Sequence, residues 1–452
     1  MRAFFAALVG AALVVAGTGC STSKSASQAW ARWGITKPTT APGAEAKLAD
    51  AYRLLYALKL DSARAEYQDL VKRFPQSAEA HLGLSMAYRY SGVRDTALAE
   101  AKAAMKLDPD ATGVLLDYAD LILPMRTGDL ASKSDSERFA EAERCNLKAT
   151  ASTHPFSAHA YTTLWASCMA QGRLSDARHA ALELGNRHYY PQPLIDFGYN
   201  LLVGLEPNAI LFTNGDNDTY PPSVLQQAGN PFRPDVTIAN LSLLNVPAVV
   251  KMMRDSLGLP ISLRDKEIAD LAPKTGTDGK TVILPSQQVV ANIIANAAKA
   301  HRPVYFAVTV SPDMSAPYAD RLVLEGLVNR VAEIRPAAAV DFDRITENLT
   351  KQYKLDWPDT LASWPQNMSP LTRVVAPLAL NYASLYAQLV SRYESAGRKA
   401  DADDAATQEV TWLARGGSAD RARALLDSWL KSTPDDTKAR ELKARLHKAG
   451  TL

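Results

Sequence analysis

Residues 214–219 read Asn-Gly-Asp-Asn-Asp-Thr and run into Tyr220, Pro221 and Pro222. Asp216 and Asp218, two residues apart and flanked by the amide oxygens of Asn214 and Asn217, are a donor set that a hard divalent cation such as Ca²⁺ or Mg²⁺ accepts. The spacing is not that of an EF-hand loop, and a lone Asp-x-Asp does not by itself identify a nucleotide-sugar site. The same amides, with the Thr219 hydroxyl, can equally hydrogen-bond sugar hydroxyls, and Tyr220 or Tyr305 can supply a stacking face. A structural reading competes with both. In it Asp218 or Thr219 caps a helix opened by Pro221 and Pro222, Gly215 supplies a turn with positive φ, and Asp216 bonds the loop backbone. Asn240, Ser242 and Asn245 complete the polar set downstream.

These residues need strands to carry them. The apolar run 209–213 empties into the acidic loop, and a second run, 236–240, ends in Asn240. That is a βαβ unit with polar side chains at the carboxyl ends of both strands, where open α/β sheets bind ligands. Further strands are expected at 281–284 and 303–310, with amphipathic helices at 287–300 and 320–331. Such alternation predicts a small, mostly parallel sheet with right-handed crossovers. Arg302 is expected to be solvated at the start of the fourth strand, and Tyr305 to be either a core aromatic or a pocket wall. His301 is expected at the surface. The chain has no His-Glu-x-x-His, Gly-x-Ser-x-Gly, P-loop or Gly-x-Gly-x-x-Gly pattern, so the commoner hydrolase, NTPase and dinucleotide readings lack support, and no reaction is assigned.

Ahead of the sheet lies a repeat. Pro75 and Pro109 are thirty-four residues apart, as are Ala63 and Ala97, and the same lag aligns Ala51 with Ser85 and Leu54 with Tyr88. Small residues where helices cross, a large residue one turn on and a terminating proline resemble the tetratricopeptide repeat. A third repeat is degenerate, with a first helix at 112–123 and an inserted loop at 124–136. The fourth carries Trp165, Cys168, Gly172, Ala177 and Ala181. Gly397 and Ala402 repeat the glycine-to-alanine spacing far downstream, and helices follow at 419–431 and 436–448. The architecture expected is therefore α + α/β: tetratricopeptide-like repeats at 43–190, an α/β domain at 191–345 and a helical, repeat-like region at 346–452. Such arrays present a groove for a protein or peptide partner, or else only brace the domain between them.

Composition bounds the rest. A chain of 452 residues, 47% hydrophobic and with a net charge of +2, carries no basic stripe of the kind that nucleic acid requires. Arg2, the apolar run 3–16 and the small residues before Cys20 form a targeting segment over 1–20. It resembles a bacterial lipoprotein signal in which Cys20 is lipidated, with Ser21 resembling lipoproteins sent to the outer membrane. The alternative is a simple secretory signal. Residues 21–42, rich in Ser, Thr, Ala and Pro, read as a flexible tether to the periplasmic side of the cell envelope. Cys145 and Cys168 form either a disulfide or two buried thiols.

Several blocks of the α/β region carry a wider resemblance: A-I-L-F-T-N-G-D-N-D-T-Y-P, D-V-T-I-A-N-L-S-L-L-N, V-A-N-I-I-A-N, R-P-V-Y-F-A-V-T and L-E-G-L-V-N-R-V. In this order they resemble the soluble portion of polytopic bacterial membrane proteins of the protein O-mannosyltransferase-like family, over about 204–336. The many-helix membrane half of that family has no counterpart in this sequence. The resemblance therefore implies the soluble domain and not glycosyl transfer. Together these features suggest a non-catalytic envelope scaffold whose α/β domain binds a partner, a glycan or a cation. The other reading is an accessory or glycan-processing protein of envelope glycosylation.

Overall fold

The computed structural model describes residues 33–123, 134–276, 279–357 and 375–448. The chain forms two compact units, the first ending at Tyr190 and the second beginning at Pro191.

The first unit is a stack of helix pairs. These are α1 (Ala44–Tyr56) with α2 (Leu60–Arg73), α3 (Ala78–Tyr90) with α4 (Arg94–Leu107), α5 (Thr112–Ile122) with α6 (Asp135–Thr150), and α7 (Ala160–Ala170) with α8 (Leu174–Asn186). The small residues that set the period, Ala51, Ala63, Ser85, Ala97, Ala177 and Ala181, are all buried. At Gly83 the approach is closest, because a Cβ there would lie 2.1 Å from the Tyr67 ring. Gly92 and Gly172 turn the second and fourth pairs at φ +79° and +72°, a conformation that costs glycine little. Ser77 caps α3 by accepting from the Ala80 amide, and Ser134 with Glu137 forms a capping box on α6. The inserted loop expected at 124–136 falls, as far as residue 133, outside the described residues.

One expectation changes here. Part of the tether expected over 21–42 is folded: Trp33 and Ile35 are buried, and Asp108 accepts from the amides of Thr36 and Lys37 at 2.7 and 2.9 Å. Two apolar anchors and one carboxylate outweigh the loop-like composition around them. Residues 21–32 lie outside the described residues.

The second unit opens with α9 (Gln192–Val203) and a five-stranded sheet in the order β2-β1-β5-β7-β6. Strands β1 (Ile210–Thr213), β2 (Thr237–Asn240) and β5 (Val304–Ala307) are parallel. Helices α10 (Tyr220–Gln227), α11 (Pro247–Leu257), α12 (Asp265–Ala269) and α13 (Pro285–Ala297) occupy the connections. Both β1 and β5 are wholly buried and apolar apart from Thr213 and Tyr305, as strands covered on two faces must be. Phe212 and Phe306 meet at 5.1 Å between their ring centroids.

Residues 320–331 form not the expected helix but an antiparallel hairpin, β6 (Leu322–Leu324) and β7 (Val328–Val331), added to the sheet beside β5. Apolar positions spaced for one helical face misled, and the turn decides. Glu325 and Val328 close a two-residue loop in which Gly326 sits at φ +119°, the place and residue that a tight hairpin prefers. The strand expected at 281–284 is also corrected: Val282–Ile283 (β4) pairs only with Lys274–Thr275 (β3) in an exposed ribbon outside the main sheet. Two apolar residues are too few to enter a covered sheet.

After α14 (Phe342–Glu347), helices α15 (Ala379–Ser395), α16 (Lys399–Arg415), α17 (Ala419–Ser432) and α18 (Thr437–Lys448) complete the same unit. The division expected at 345/346 is bridged by packing. Tyr382 on α15 packs against Trp412 at 4.4 Å between ring centroids with the planes tilted by 32°, meets Phe197 of α9 edge-on at 6.2 Å, and receives a 2.8 Å hydrogen bond from Asn200. Tyr353 accepts from the Leu327 amide over Gly326. No described helix is long and apolar enough to cross a membrane.

Candidate functional site

The acidic loop leaves the carboxyl end of β1 and turns into α10, which Pro221 and Pro222 start at φ values suited to a first turn. Asp218 is only 2% exposed. One carboxylate oxygen accepts from the Asn214 amide at 2.8 Å and from the Thr309 hydroxyl; the other accepts from the Gly215 amide at 2.8 Å and faces the Thr219 hydroxyl at 3.5 Å. A carboxylate has about four acceptor directions, and three well-placed donors, from Asn214, Gly215 and Thr309, fill most of them. Burial pushes the Asp218 carboxyl above its ordinary range, opposed by the donors from Asn214, Thr309 and Gly215. This corrects its expected place as an outward-facing cation ligand, since N–H and O–H groups already aim their positive ends at both oxygens. Among the described residues no group of three or more His, Cys, Asp or Glu side chains is placed to hold a metal ion.

Capping is not its task either. Thr219 stands at the N-cap of α10 without a side-chain capping bond, and Asp218 instead reaches back to amides on the β1 side. Nor does Gly215 adopt a positive φ. Thr219 joins a second cluster: its hydroxyl lies 2.7 Å from that of Thr213 and receives a 2.9 Å bond from the Asn240 amide, which brings β1 and β2 together. The Asn240 oxygen accepts from the amides of Ser242 and Leu243, and Asn245 accepts from the Ser286 amide at 3.0 Å, opening α13. The structure thus gathers Asp218, Thr219 and Asn240 at the carboxyl ends of the parallel strands but spends them on one another, on Thr213 and Thr309, and on main-chain amides. Asn214 is exposed, and Asp216, Asn217, Ser242 and Asn245 are partly so, leaving these as the candidate residues a ligand can reach.

Tyr220 and Tyr305 are buried, and the Tyr305 hydroxyl donates to Glu206 at 2.9 Å, so neither presents an open stacking face. Arg302, expected in solvent, is half-buried, donating to the carbonyls of Asn208 and Gly258 and to the Thr237 hydroxyl at 2.7 Å. His301 is exposed. Thr213 and Thr309 were not singled out by sequence. Their signal was a lone hydroxyl just after the apolar stretch of each strand.

A second polar assembly went unseen in the repeat unit. Arg89 on α3 donates to Asp120 at 3.0 Å and pairs with Asp117 at 3.0 Å, both on α5. Ser85 donates to Asp117, Thr163 donates to the other Asp120 oxygen at 2.8 Å, and His159 bridges Asp120 at 3.2 Å and the Tyr189 hydroxyl at 2.8 Å. The charged side chains are at most 6% exposed. Burial raises the Asp120 carboxyl, but His159, Arg89 and Thr163 outweigh it and hold the group below its ordinary range. Spacing of four (Ser85, Arg89) and three (Asp117, Asp120) places each pair on one helix face, the only sequence cue available.

Cys145 and Cys168 are free thiols, both pushed up to about 11, chiefly by burial, so of the two alternatives the structure carries unbonded sulfurs. Cys20 lies outside the described residues.

Residues 194–275 match the family model described as TMEM260-associated domain 2. The match covers α9, both strands of the acidic loop's βαβ unit, and the loop itself. No curated protein matches the chain. Among solved structures, PilF of Pseudomonas aeruginosa is 15% identical over 47% of this chain and 83% of its own, with a TM-score of 0.28. PilW, a widely conserved type IV pilus biogenesis factor, is 15% identical over 50% of this chain and 97% of its own, at 0.23. The Naa15/Naa10 structure bound to HypK-THB is 13% identical over 90% of this chain and 61% of that one, at 0.20.

Proposed function

We propose that this protein is a non-catalytic scaffold of the cell envelope, tethered through a lipidated Cys20, whose helix pairs hold a protein or peptide partner. One observation carries the reading. The stacked pairs bury α5 at every residue, yet the first pair keeps an open, charged cleft of about 590 Å³ lined by Lys47, Asp50, Arg53, Lys59 and Glu66. A surface of mixed charge on a rigid helical frame suits a polar peptide segment. Asp218 fits this reading, because a carboxylate spent on loop amides holds shape and is not poised to move protons.

A photo-cross-linking residue placed at Arg53, on the cleft, should trap a discrete protein in intact cells, whereas one at Lys72, exposed on α2, should not. Equal trapping at both positions, or none, would count against the scaffold. Separately, Cys20→Ser should abolish labelled-palmitate incorporation and release the protein from the membrane fraction; label that survives the change removes the tether.

A second reading is favoured by the match at 194–275 together with the sequence blocks shared with protein O-mannosyltransferase-like proteins. In it the chain is an accessory of envelope glycosylation, and Asn214, Asp216 and Asn217 meet a glycan or a cation at the accessible rim of the loop.

A further inference from the structure

The expected ligand end of the sheet is filled by its own hydrogen bonds, and the opposite end is open. A cavity of about 760 Å³ lies where β1 and β5 begin and β7 finishes. This is the size range of small-molecule sites. Its wall is unusual in charge. Arg302, Arg321, Arg330 and Arg335 line it, against Glu206 and Glu333.

The state of each guanidinium decides how much of that charge is available. Arg330 is paired with the buried Glu325 and is largely neutralised. Arg302 is bonded to carbonyls and a hydroxyl, without a carboxylate, and burial alone holds its pKa below the ordinary arginine value. Arg321 donates through Nε to the Ala332 carbonyl and has no salt bridge among the described residues, so its two remaining nitrogens keep their donors for other acceptors. Arg335 is exposed at the rim with no ion pair among the described residues. Beside it Ile334 is 80% exposed, the most exposed large apolar side chain among the described residues, and Ile294 and Val331 give the cavity a buried apolar wall. A half-buried cation with no counter-ion, two guanidinium forks and an apolar lip together favour an anion carrying an apolar body.

We propose that this cavity at the amino-terminal end of the sheet is a binding site for a small amphiphilic anion, a phosphate or carboxylate group held by Arg321 and Arg335 with its apolar part against Ile334 and Val331. The site is separate from both the acidic loop and the helical cleft, and either functional reading can fail without touching it.

Calorimetric titration of the full chain with hexyl phosphate, inorganic phosphate and 1-hexanol tests it. Hexyl phosphate should bind, inorganic phosphate should bind more weakly, and hexanol should give no saturable heat. Arg335→Ala and Arg321→Ala should each weaken hexyl phosphate about tenfold, the loss of one charge-assisted contact. Ile334→Ser should narrow the gap between hexyl phosphate and inorganic phosphate. Since Arg321 also ties down the Ala332 carbonyl, its variant is read only at an unchanged melting temperature, and Arg335→Glu gives the same reading from the exposed rim. Absence of saturable hexyl phosphate binding, hexanol binding as tightly as hexyl phosphate, or phosphate binding unaltered in both Arg335 variants would each overturn the proposal.

Discussion

Arg89→Met should lower the stability of the repeat unit by about 3–5 kcal/mol, among the largest effects available from any one side chain here. The reason is what stays behind. Asp117 and Asp120 are 2% and 3% exposed, and Arg89 is their shared cation. Removing it leaves two buried carboxylates with only the Ser85 and Thr163 hydroxyls and His159 as partners, and a buried charge without its cation costs far more than the pair contributed. Thermal unfolding followed by circular dichroism should show the transition falling by about 10 °C. Adding Asp117→Asn and Asp120→Asn to the same chain should return a substantial part of the loss, because the stranded charges are then gone. A drop smaller than about 1 kcal/mol would mean that the acids are already protonated in the native protein. The two acids differ in sign: burial leaves the Asp117 carboxyl above its ordinary value, whereas Asp120 is held below its own. Arg89 lowers both, so what it contributes is present while they are ionised and disappears as falling pH protonates them, and acid should narrow the gap between wild type and Arg89→Met.

Asp218→Asn should destabilise the second unit by about 3 kcal/mol without any ligand present. Asparagine keeps one acceptor oxygen and turns an NH₂ group toward a site where the amides of Asn214 and Gly215 and the Thr309 hydroxyl all donate. Donor then faces donor, and at least one main-chain amide loses its partner in a buried place. Hydrogen exchange of the peptide spanning 210–220 should accelerate ahead of the helices α15 and α16. A variant as stable as wild type, with unchanged exchange in that peptide, would return Asp218 to the list of ligand candidates.

How much of this could be read in advance depended on the range of the interaction. The repeat period, the two parallel strands around the acidic loop and the proline-started helix α10 were legible, because each rests on neighbours a few residues apart or on a fixed lag. The hairpin at β6 and β7 was not: Leu322, Leu324, Leu327 and Val331 fit a helical face as well as a strand pair, and only the backbone at Gly326 separates the two. The acidic loop was located correctly but its roles were not. Whether Asp218 meets a cation or Thr309 is settled by a residue ninety-one positions away, and no local pattern encodes that. Arg302 failed for the same reason: Asn208, Thr237 and Gly258 reach it from two connections and the start of β2. The segment at Trp33 shows the reverse case, in which two apolar anchors, Trp33 and Ile35, and the Asp108 carboxylate override a loop-like neighbourhood.

The ring contact between Tyr382 and Trp412, with Trp357 5.5 Å from Trp412, also restricts where the second unit can be cut. A sheet whose first helix offers Phe197 and Asn200 to a tyrosine more than 180 positions later has no finished outer face of its own. Truncation ahead of α15 would lay the Phe197 ring bare and take from Asn200 the hydroxyl it donates to. The smallest excisable piece is therefore the sheet together with its trailing helices.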